Sequence, residues 1–363
     1  MPIITTFCLI IYVFFILFII SGLFKHKNLQ VACLQDMPFV SVVIAARNEE
    51  DFISDLITDL IAQEYPLEKL EVIIVNDRSN DSTLDILNKA ENNYELIKVI
   101  TVNEKSSDMA PKKHALSLGI ESAKGEIIVL TDADCRVGKL WVSSMVYSVI
   151  NQNSIVIGFS QIYNDFNNWF VEYQKIDFFS IIVANTGSAG WGYFWSGTGQ
   201  NLAFYKNDFN AISGFNPVKN RISGDDMYLV QKISKIRNAY VNIDPNSFVK
   251  TSPMLGIKEF INQRVRWSSN SKINLKEAPA FFMFLITMFF FNSLILSFFL
   301  LGKPWMLLFL IKFIFDGAVV FLGGKLFNIK NSAWIYCLWS IMQPLYIPII
   351  GLLGLRGKFS WKK

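Results

Sequence analysis

Carboxylates recur along this chain at the ends of apolar runs. Asp77 closes one run, Asp132-Ala133-Asp134 closes another, and Asp225-Asp226 follows Gly224 further on. Two carboxylates two residues apart present hard oxygens to Mg2+ or Mn2+ and leave coordination positions open for a diphosphate. An ion held there would neutralise charge growing on a departing phosphate. A carboxylate at a helix start, as in Asp225-Asp226, can accept a proton from an attacking hydroxyl or can simply cap the helix, and the pair leaves room for both roles. Asp77 is followed by the polar turn Arg78 to Thr83. Asp81 and Ser82 are better placed to cap the next helix, which frees Asp77 to accept from a nucleotide base or ribose.

The cationic candidates come from elsewhere. Gln263, Arg266 and Trp267 stand at i, i+3 and i+4 and so share one helix face. Arg266 can bind diphosphate oxygens in bidentate fashion, and Trp267 offers a flat surface for stacking. The blander reading is an Arg and a Trp anchoring a helix at a membrane surface. Lys112, Lys113 and His114 open a helix, where a lysine either touches phosphate as a point charge or is solvated. Arg47-Asn48-Glu49-Glu50 closes the first strand and opens the first helix, which predicts backbone amides and a helix N-terminus turned toward the same cleft. No Gly-x-Gly-x-x-Gly or Walker sequence is present, which argues against a dinucleotide oxidoreductase or a kinase-type ATP site.

These residues need a scaffold, and the hydrophobic periodicity supplies one. Residues 39–45, 70–76, 97–102, 126–131 and 155–159 read as strands. Residues 49–64, 82–92, 112–122 and 139–150 between them read as helices. Alternation of this kind predicts an α/β domain with a mostly parallel, covered sheet, whose ligands bind outside the carboxyl ends of the strands. The first two acidic motifs fall there. Beyond it, residues 168–182 and 257–267 read as amphipathic helices, 185–200 is rich in Gly, Ser and Trp, and 202–205 is a short strand.

The composition is 52% hydrophobic with 32 Phe and only 18% charged residues. Uncharged runs at 3–24, 278–301 and 333–355 each reach the roughly 20 residues that cross a bilayer as a helix. Residues 305–324 form a weaker fourth candidate, interrupted by Lys312 and Asp316 at i,i+4 spacing. That pair either marks a pathway or neutralises itself against protein. No cation precedes the first apolar run and no small-residue cleavage pattern ends it, so a retained anchor is expected. Lys25 and Lys27 then place residues 25–277 on the cytoplasmic side. The expected organisation is an anchor at 1–24, a cytoplasmic domain at 25–277, a membrane region at 278–355 and a basic tail at 356–363. That tail would emerge on the wrong side after three crossings, and Pro344 and Pro348 make the last segment the one suspected of lying in the interface. Cys8, Cys33, Cys135 and Cys337 are isolated, so neither a disulfide framework nor a zinc site is implied. The net charge of +4, without a basic stripe, points to anionic membrane lipids and not to nucleic acid.

In this order the motifs resemble those of membrane-bound, inverting family 2 glycosyltransferases with a GT-A fold. The similarity covers roughly residues 39–267. It rests on 41–50 (SVVIAARNEE), Val75-Asn76-Asp77, Lys112 to Gly119, Gly125 to Asp134, 199–203 (GQNLA), Gly224-Asp225-Asp226 and the Gln-x-x-Arg-Trp signature. The resemblance implies that Ala45, Arg47, Glu49 or Glu50, Asp77 and Lys112 serve the nucleotide donor. It implies Asp134 as the main ligand of Mg2+ or Mn2+ with Asp132 beside it, and Asp226 as the base. Gln263, Arg266 and Trp267 would close over diphosphate and acceptor. Ala46, where many members carry a proline-containing turn, and Ser252, where an acidic residue is frequent, depart from the pattern. The expected reaction moves a sugar from a nucleotide-diphosphate sugar, UDP-linked by preference, onto a lipid or lipid-linked acceptor, in a multi-pass protein of a bacterial inner membrane. A processive polysaccharide synthase is the alternative, disfavoured by the few membrane segments available to line a channel. A non-catalytic transporter or scaffold is disfavoured because all three acidic motifs are present.

Overall fold

The computed structural model describes residues 3–27, 37–163 and 168–357. Cys33 and the tail lysines Lys358, Lys362 and Lys363 lie outside the described residues. Chain order runs α1 (Ile3–Leu23), β1 (Val40–Ala46), α2 (Ile53–Ile61), β2 (Leu70–Asp77), α3 (Thr83–Asn93), β3 (Ile97–Val102), α4 (Pro111–Ser122) and β4 (Ile127–Leu130). It continues with β5 (Cys135–Val137), α5 (Trp141–Gln152), β6 (Ser154–Gly158), β7 (Ser160–Ile162), α6 (Trp169–Ala189), β8 (Leu202–Tyr205), α7 (Lys206–Ala211) and α8 (Asp225–Ile236). The remainder is β9 (Asn238–Asn242), β10 (Val249–Thr251), α9 (Ile257–Ser268), α10 (Ser271–Glu277), α11 (Pro279–Leu300), α12 (Met306–Leu326) and α13 (Ala333–Arg356).

The chain divides into two units. One gathers residues 27–161 and 196–252, the other residues 1–26, 162–195 and 253–363. In the first, a seven-stranded sheet has the order β3-β2-β1-β4-β8-β6-β9, and β5-β10-β7 forms a small second sheet. The β1–β2, β2–β3, β1–β4 and β6–β9 pairs are parallel, whereas β8 runs antiparallel to β4 and β6. This is the expected mostly parallel GT-A sheet. Every residue of β4 and nearly every residue of β1 and β2 is buried, as strands covered on both faces require. Val42, Ile44, Val72, Ile74, Val129 and Val156 form the core with Leu56 and Leu60 of α2 and Trp141 and Met145 of α5. On α4, Gly119 permits a close approach to the sheet, because a Cβ there would meet Val43 Cγ1 at 2.5 Å.

The other unit contains α1, α6 and α9 to α13. By length and composition α1, α11, α12 and α13 can each cross a membrane. The sequence makes the last of these suspect, yet α13 continues unbroken through Pro344 and Pro348, both buried. Proline is tolerated in such helices when neighbouring helices and side chains take up the freed backbone groups. The amphipathic helix expected at 168–182 extends as α6 to Ala189 and absorbs the start of the Gly- and Ser-rich stretch. Its small residues serve a helix crossing: a Cβ on Gly187 would lie 2.5 Å from Ile19 O on α1.

Candidate active site

The carboxyl ends of β1, β2 and β4 point the same way, and their register determines which loops meet. Ala46 pairs with Asn76 and Val43 with Leu130, so Arg47, Asp77 and the Thr131–Asp134 turn leave neighbouring strands at one edge. Ala45 is paired with Val75 just before that edge.

The 47–50 segment behaves differently from the sequence expectation. Its amides do not open a helix toward the cleft, since α2 starts only at Ile53. Instead the N–H groups of Asn48, Glu49 and Glu50 donate to Ser79 Oγ (3.0 Å), Thr83 Oγ1 (2.8 Å) and Asp81 Oδ2 (3.2 Å). The turn answers through Asn80 N–H to Asn48 Oδ1 (2.8 Å) and Ser82 N–H to Glu50 Oε2 (2.9 Å). The physical reason is local: five side-chain oxygens from the two loops satisfy these amides better than a first helical turn, which leaves its amides without intrahelical partners. Asn48 (φ 53°) and Arg78 (φ 57°) accept left-handed backbone where the two loops interlock. Of the two residues expected to cap α3, Asp81 Oδ1 accepts from Thr83 N–H (3.0 Å), whereas Ser82, at the N-cap position, makes no side-chain capping bond.

Asp77 is 5% exposed and held by two guanidinium groups. Arg78 Nε lies 2.8 Å from Oδ1 and Arg47 Nη1 lies 4.0 Å from Oδ2. Arg47 Nε and Arg78 Nη2 are buried without an acceptor among the described residues. A buried unmet donor is costly, so these two directions are suited to oxygens of a ligand. Arg78 is not among the residues expected from the sequence to serve the site; its position directly after Asp77 is the one signal the sequence holds for it.

Asp132 lies in a second cluster. Lys112, in the first turn of α4, places Nζ 2.6 Å from Asp132 Oδ1 and 3.9 Å from Asp225 Oδ2. Burial alone would lower the Lys112 ammonium, but Asp132, Asp225 and Asp226 hold it above the ordinary lysine range. Asp226, at the start of α8, accepts from Met227 N–H through Oδ1 (2.7 Å) and from Gly199 N–H through Oδ2 (3.3 Å). A Cβ on Gly199 would stand 3.6 to 3.8 Å from Asp225 Oδ2, Asp226 Cβ and Lys112 Nζ, so the 196–200 loop closes this cluster. Lys113 turns away, buried, and donates to Arg221 O at 2.6 Å; burial lowers its pKa. Asp134 sits before β5, 3.8 Å from the Cys135 thiol.

Asn201 carries no assigned role in the sequence beyond its place in the 199–203 motif, and the structure gives it a definite task. Fully buried, it accepts from Trp141 Nε1 (3.0 Å) and donates to Phe159 O (2.9 Å) and Ser247 O (2.7 Å). That fixes the end of the loop carrying Gly199.

Gln263, Arg266 and Trp267 belong to the other unit, on α9. All three are half-buried. Trp267 lies 5.7 Å from the Phe178 ring.

An α/β scaffold with Asp77, Asp132 and Asp226 carried at neighbouring edges is the layout of a GT-A transferase. Residues 41–223, half of the chain, match the model of the family described as Glycosyl transferase family 2, and the chain belongs to that family. Among curated proteins it is 25% identical over 278 residues to the Bacillus subtilis protein named "Probable glycosyltransferase YdaM", covering 73% of this chain and 65% of that protein. It is 38% identical over 113 residues to the beta-monoglucosyldiacylglycerol synthase of Trichormus variabilis, covering 31% and 24%. The chain therefore spans less than two thirds of either relative. The mannosyltransferase PcManGT of Pyrobaculum calidifontis, solved with GDP-Man and Mn2+, shares the fold at a TM-score of 0.61, with 19% identity over 98% of this chain and 99% of that one.

Proposed function

We propose that this family 2 enzyme transfers a sugar, with inversion, from a nucleotide-diphosphate sugar to a lipid or lipid-linked acceptor at a membrane. The observation that carries the reading is the Asp132–Lys112–Asp225–Asp226 cluster closed by Gly199, in which one cation faces carboxylates from two segments, the turn after β4 and the start of α8. Asp226 is the proton acceptor: both its oxygens receive backbone N–H groups, which orient it beside the Lys112 cluster. Lys112 supplies positive charge beside the departing diphosphate. Arg47 and Arg78, with Asp77, receive the nucleotide, a UDP moiety by preference. Ala45, Glu49 and Glu50 line the same edge.

The donor set at Asp132 and Asp134 fits Mg2+ or Mn2+. Among the described residues no group of three or more His, Cys, Asp or Glu is arranged around a metal position. A small dication shared with a substrate diphosphate typically takes one or two protein carboxylates and completes its shell with phosphate and water. When bound, the ion adds charge neutralisation at the leaving group.

Gln263, Arg266 and Trp267 serve the diphosphate and acceptor; their spacing within one half-buried helix face supports this. The lipid acceptor is supported by the glucosyldiacylglycerol synthase similarity and by four helices suited to a bilayer. Lys25 and Lys27 after α1 favour a catalytic domain on the cytoplasmic side of a multi-pass, inner-membrane protein.

The test is a donor screen with UDP-glucose, UDP-galactose, UDP-N-acetylglucosamine and GDP-mannose, offered with membrane lipid extract and Mn2+ to the full-length protein. A lipid gaining the mass of one hexose or N-acetylhexosamine is expected. A ladder of polymer products would refute single transfer, and the absence of any product with every donor would refute the acceptor class.

A further inference from the structure

We infer that Asp177 and Arg264 form a positioning pair for the Gln-x-x-Arg-Trp helix, an inference that rests on the acceptor role proposed above for that motif. Arg264 lies inside the motif, between Gln263 and Arg266, and is buried where those two are half-buried. It is 3% exposed, and its Nε donates to Asp177 Oδ2 on α6 at 2.7 Å. Its Nη1 donates to Gln263 Oε1. The guanidinium carbon lies 4.3 Å from the Trp267 ring centre and 4.5 Å from that of Phe260. One buried side chain thus touches two of the three motif residues directly.

Asp177 is the matching hub. It is equally buried and receives Trp339 Nε1 at Oδ1 (3.2 Å) and the Tyr346 hydroxyl at Oδ2 (3.4 Å), both from α13. The pair therefore links α6, α9 and α13 through one carboxylate. A guanidinium is planar and forked, so it can hold an amide oxygen, a carboxylate and an aromatic face together; a lysine ammonium cannot. A hydrophobic contact would pack the same helices, but would not fix the Gln263 amide or the Trp267 ring plane. Arg264 and Asp177 are accordingly positioning residues, acting through Gln263 and Trp267.

The test uses the full-length protein in detergent with the donor found by the screen. Arg264→Lys keeps the buried charge paired and removes the fork and the stack. The expected result is a fall in kcat for transfer of at least about tenfold, with UDP affinity and melting midpoint close to wild type. Asp177→Asn combined with Arg264→Gln, a neutral pair, should melt near wild type and show the same kcat deficit. A purely structural pair would lower the amount and melting midpoint of the protein and leave kcat per folded molecule normal. Wild-type kcat in whichever of the two variants folds would overturn the inference, and so would failure of both to fold, since that marks a structural pair. Arg266→Ala and Trp267→Ala run in parallel separate this from the underlying reading: full turnover in both would remove the motif's role itself.

Discussion

Lys112 Nζ rests 2.6 Å from Asp132 Oδ1, so the residue expected to approach a metal already shares its carboxylate with a lysine. Both side chains are about one-quarter exposed, and the same ammonium lies 3.9 Å from Asp225. Replacing Lys112 by Met leaves these carboxylates facing one another. Stability should fall by about 2 kcal/mol, the scale of a hydrogen bond to a charged group. The KM for the donor should rise about tenfold or more, with Arg at this position recovering part of it. Because the neighbouring carboxylates raise the Lys112 pKa in the folded state, its contribution is complete below the unfolded lysine pKa of about 10.4 and is lost only as pH climbs through the raised folded value. Denaturant melts of wild type and variant should therefore stay separated by a constant margin from pH 7 to pH 10.

Asp226→Asn tests the base. The Asn side-chain oxygen can still accept from Met227 or Gly199 N–H, so the loop geometry and donor affinity should persist. Proton removal is lost, and transfer should drop by about 10²- to 10⁴-fold. Normal turnover in this variant, measured beside unchanged UDP binding, would remove the assignment.

Metal removal gives an independent check on Asp132 and Asp134. Chelation with EDTA should abolish transfer, and Mn2+ or Mg2+ should restore it. Asp134→Ala should require much more metal for half-maximal rate, while its melting midpoint without metal should stay near wild type. Full activity in EDTA would exclude the proposed cofactor.

Asn201→Leu addresses the loop behind the base. The substitution nearly preserves volume but strands Trp141 Nε1 and the Ser247 carbonyl, whereas the Phe159 carbonyl keeps its bond from Val249 N–H. A loss of about 3 kcal/mol or more is expected, since each unmet buried group costs about 1–3 kcal/mol. Thermal unfolding of the purified protein measures it.

The strands bearing Asp77 and Asp132 are legible because burial on both faces leaves uninterrupted apolar runs, and the parallel pairing of β1, β2 and β4, though not their order, follows from strand–helix alternation. Partnerships between distant residues are not. Lys112 and Asp132 are twenty positions apart, and nothing in either segment's periodicity announces an ion pair. The 47–50 amides depart from expectation for a related reason: whether they open a helix or bond another loop depends on side chains about thirty residues away. Arg264 stands inside a motif whose spacing draws attention to its other members. Its burial depends on Asp177, in a helix whose sequence records an apolar face but not its partner.

Lys312 and Asp316 on α12 left two readings open in the sequence, a pathway or mutual neutralisation, and their contacts favour the second. Lys312 is 2% exposed and donates to Asp316, whose other oxygen accepts from Tyr12 on α1. The pair is thus spent within the helix packing. Removing one partner from a buried ion pair costs about 3–5 kcal/mol because the remaining charge is left uncompensated, whereas removing both can be nearly neutral. Lys312→Leu should therefore sharply reduce folded yield in membranes, and Lys312→Leu with Asp316→Leu should recover much of it, with transfer activity per folded molecule preserved. Size-exclusion profiles of detergent extracts would report the yields. A double variant that folds but cannot transfer would reopen the pathway reading, because packing alone gives no reason for lost chemistry once the helices have assembled.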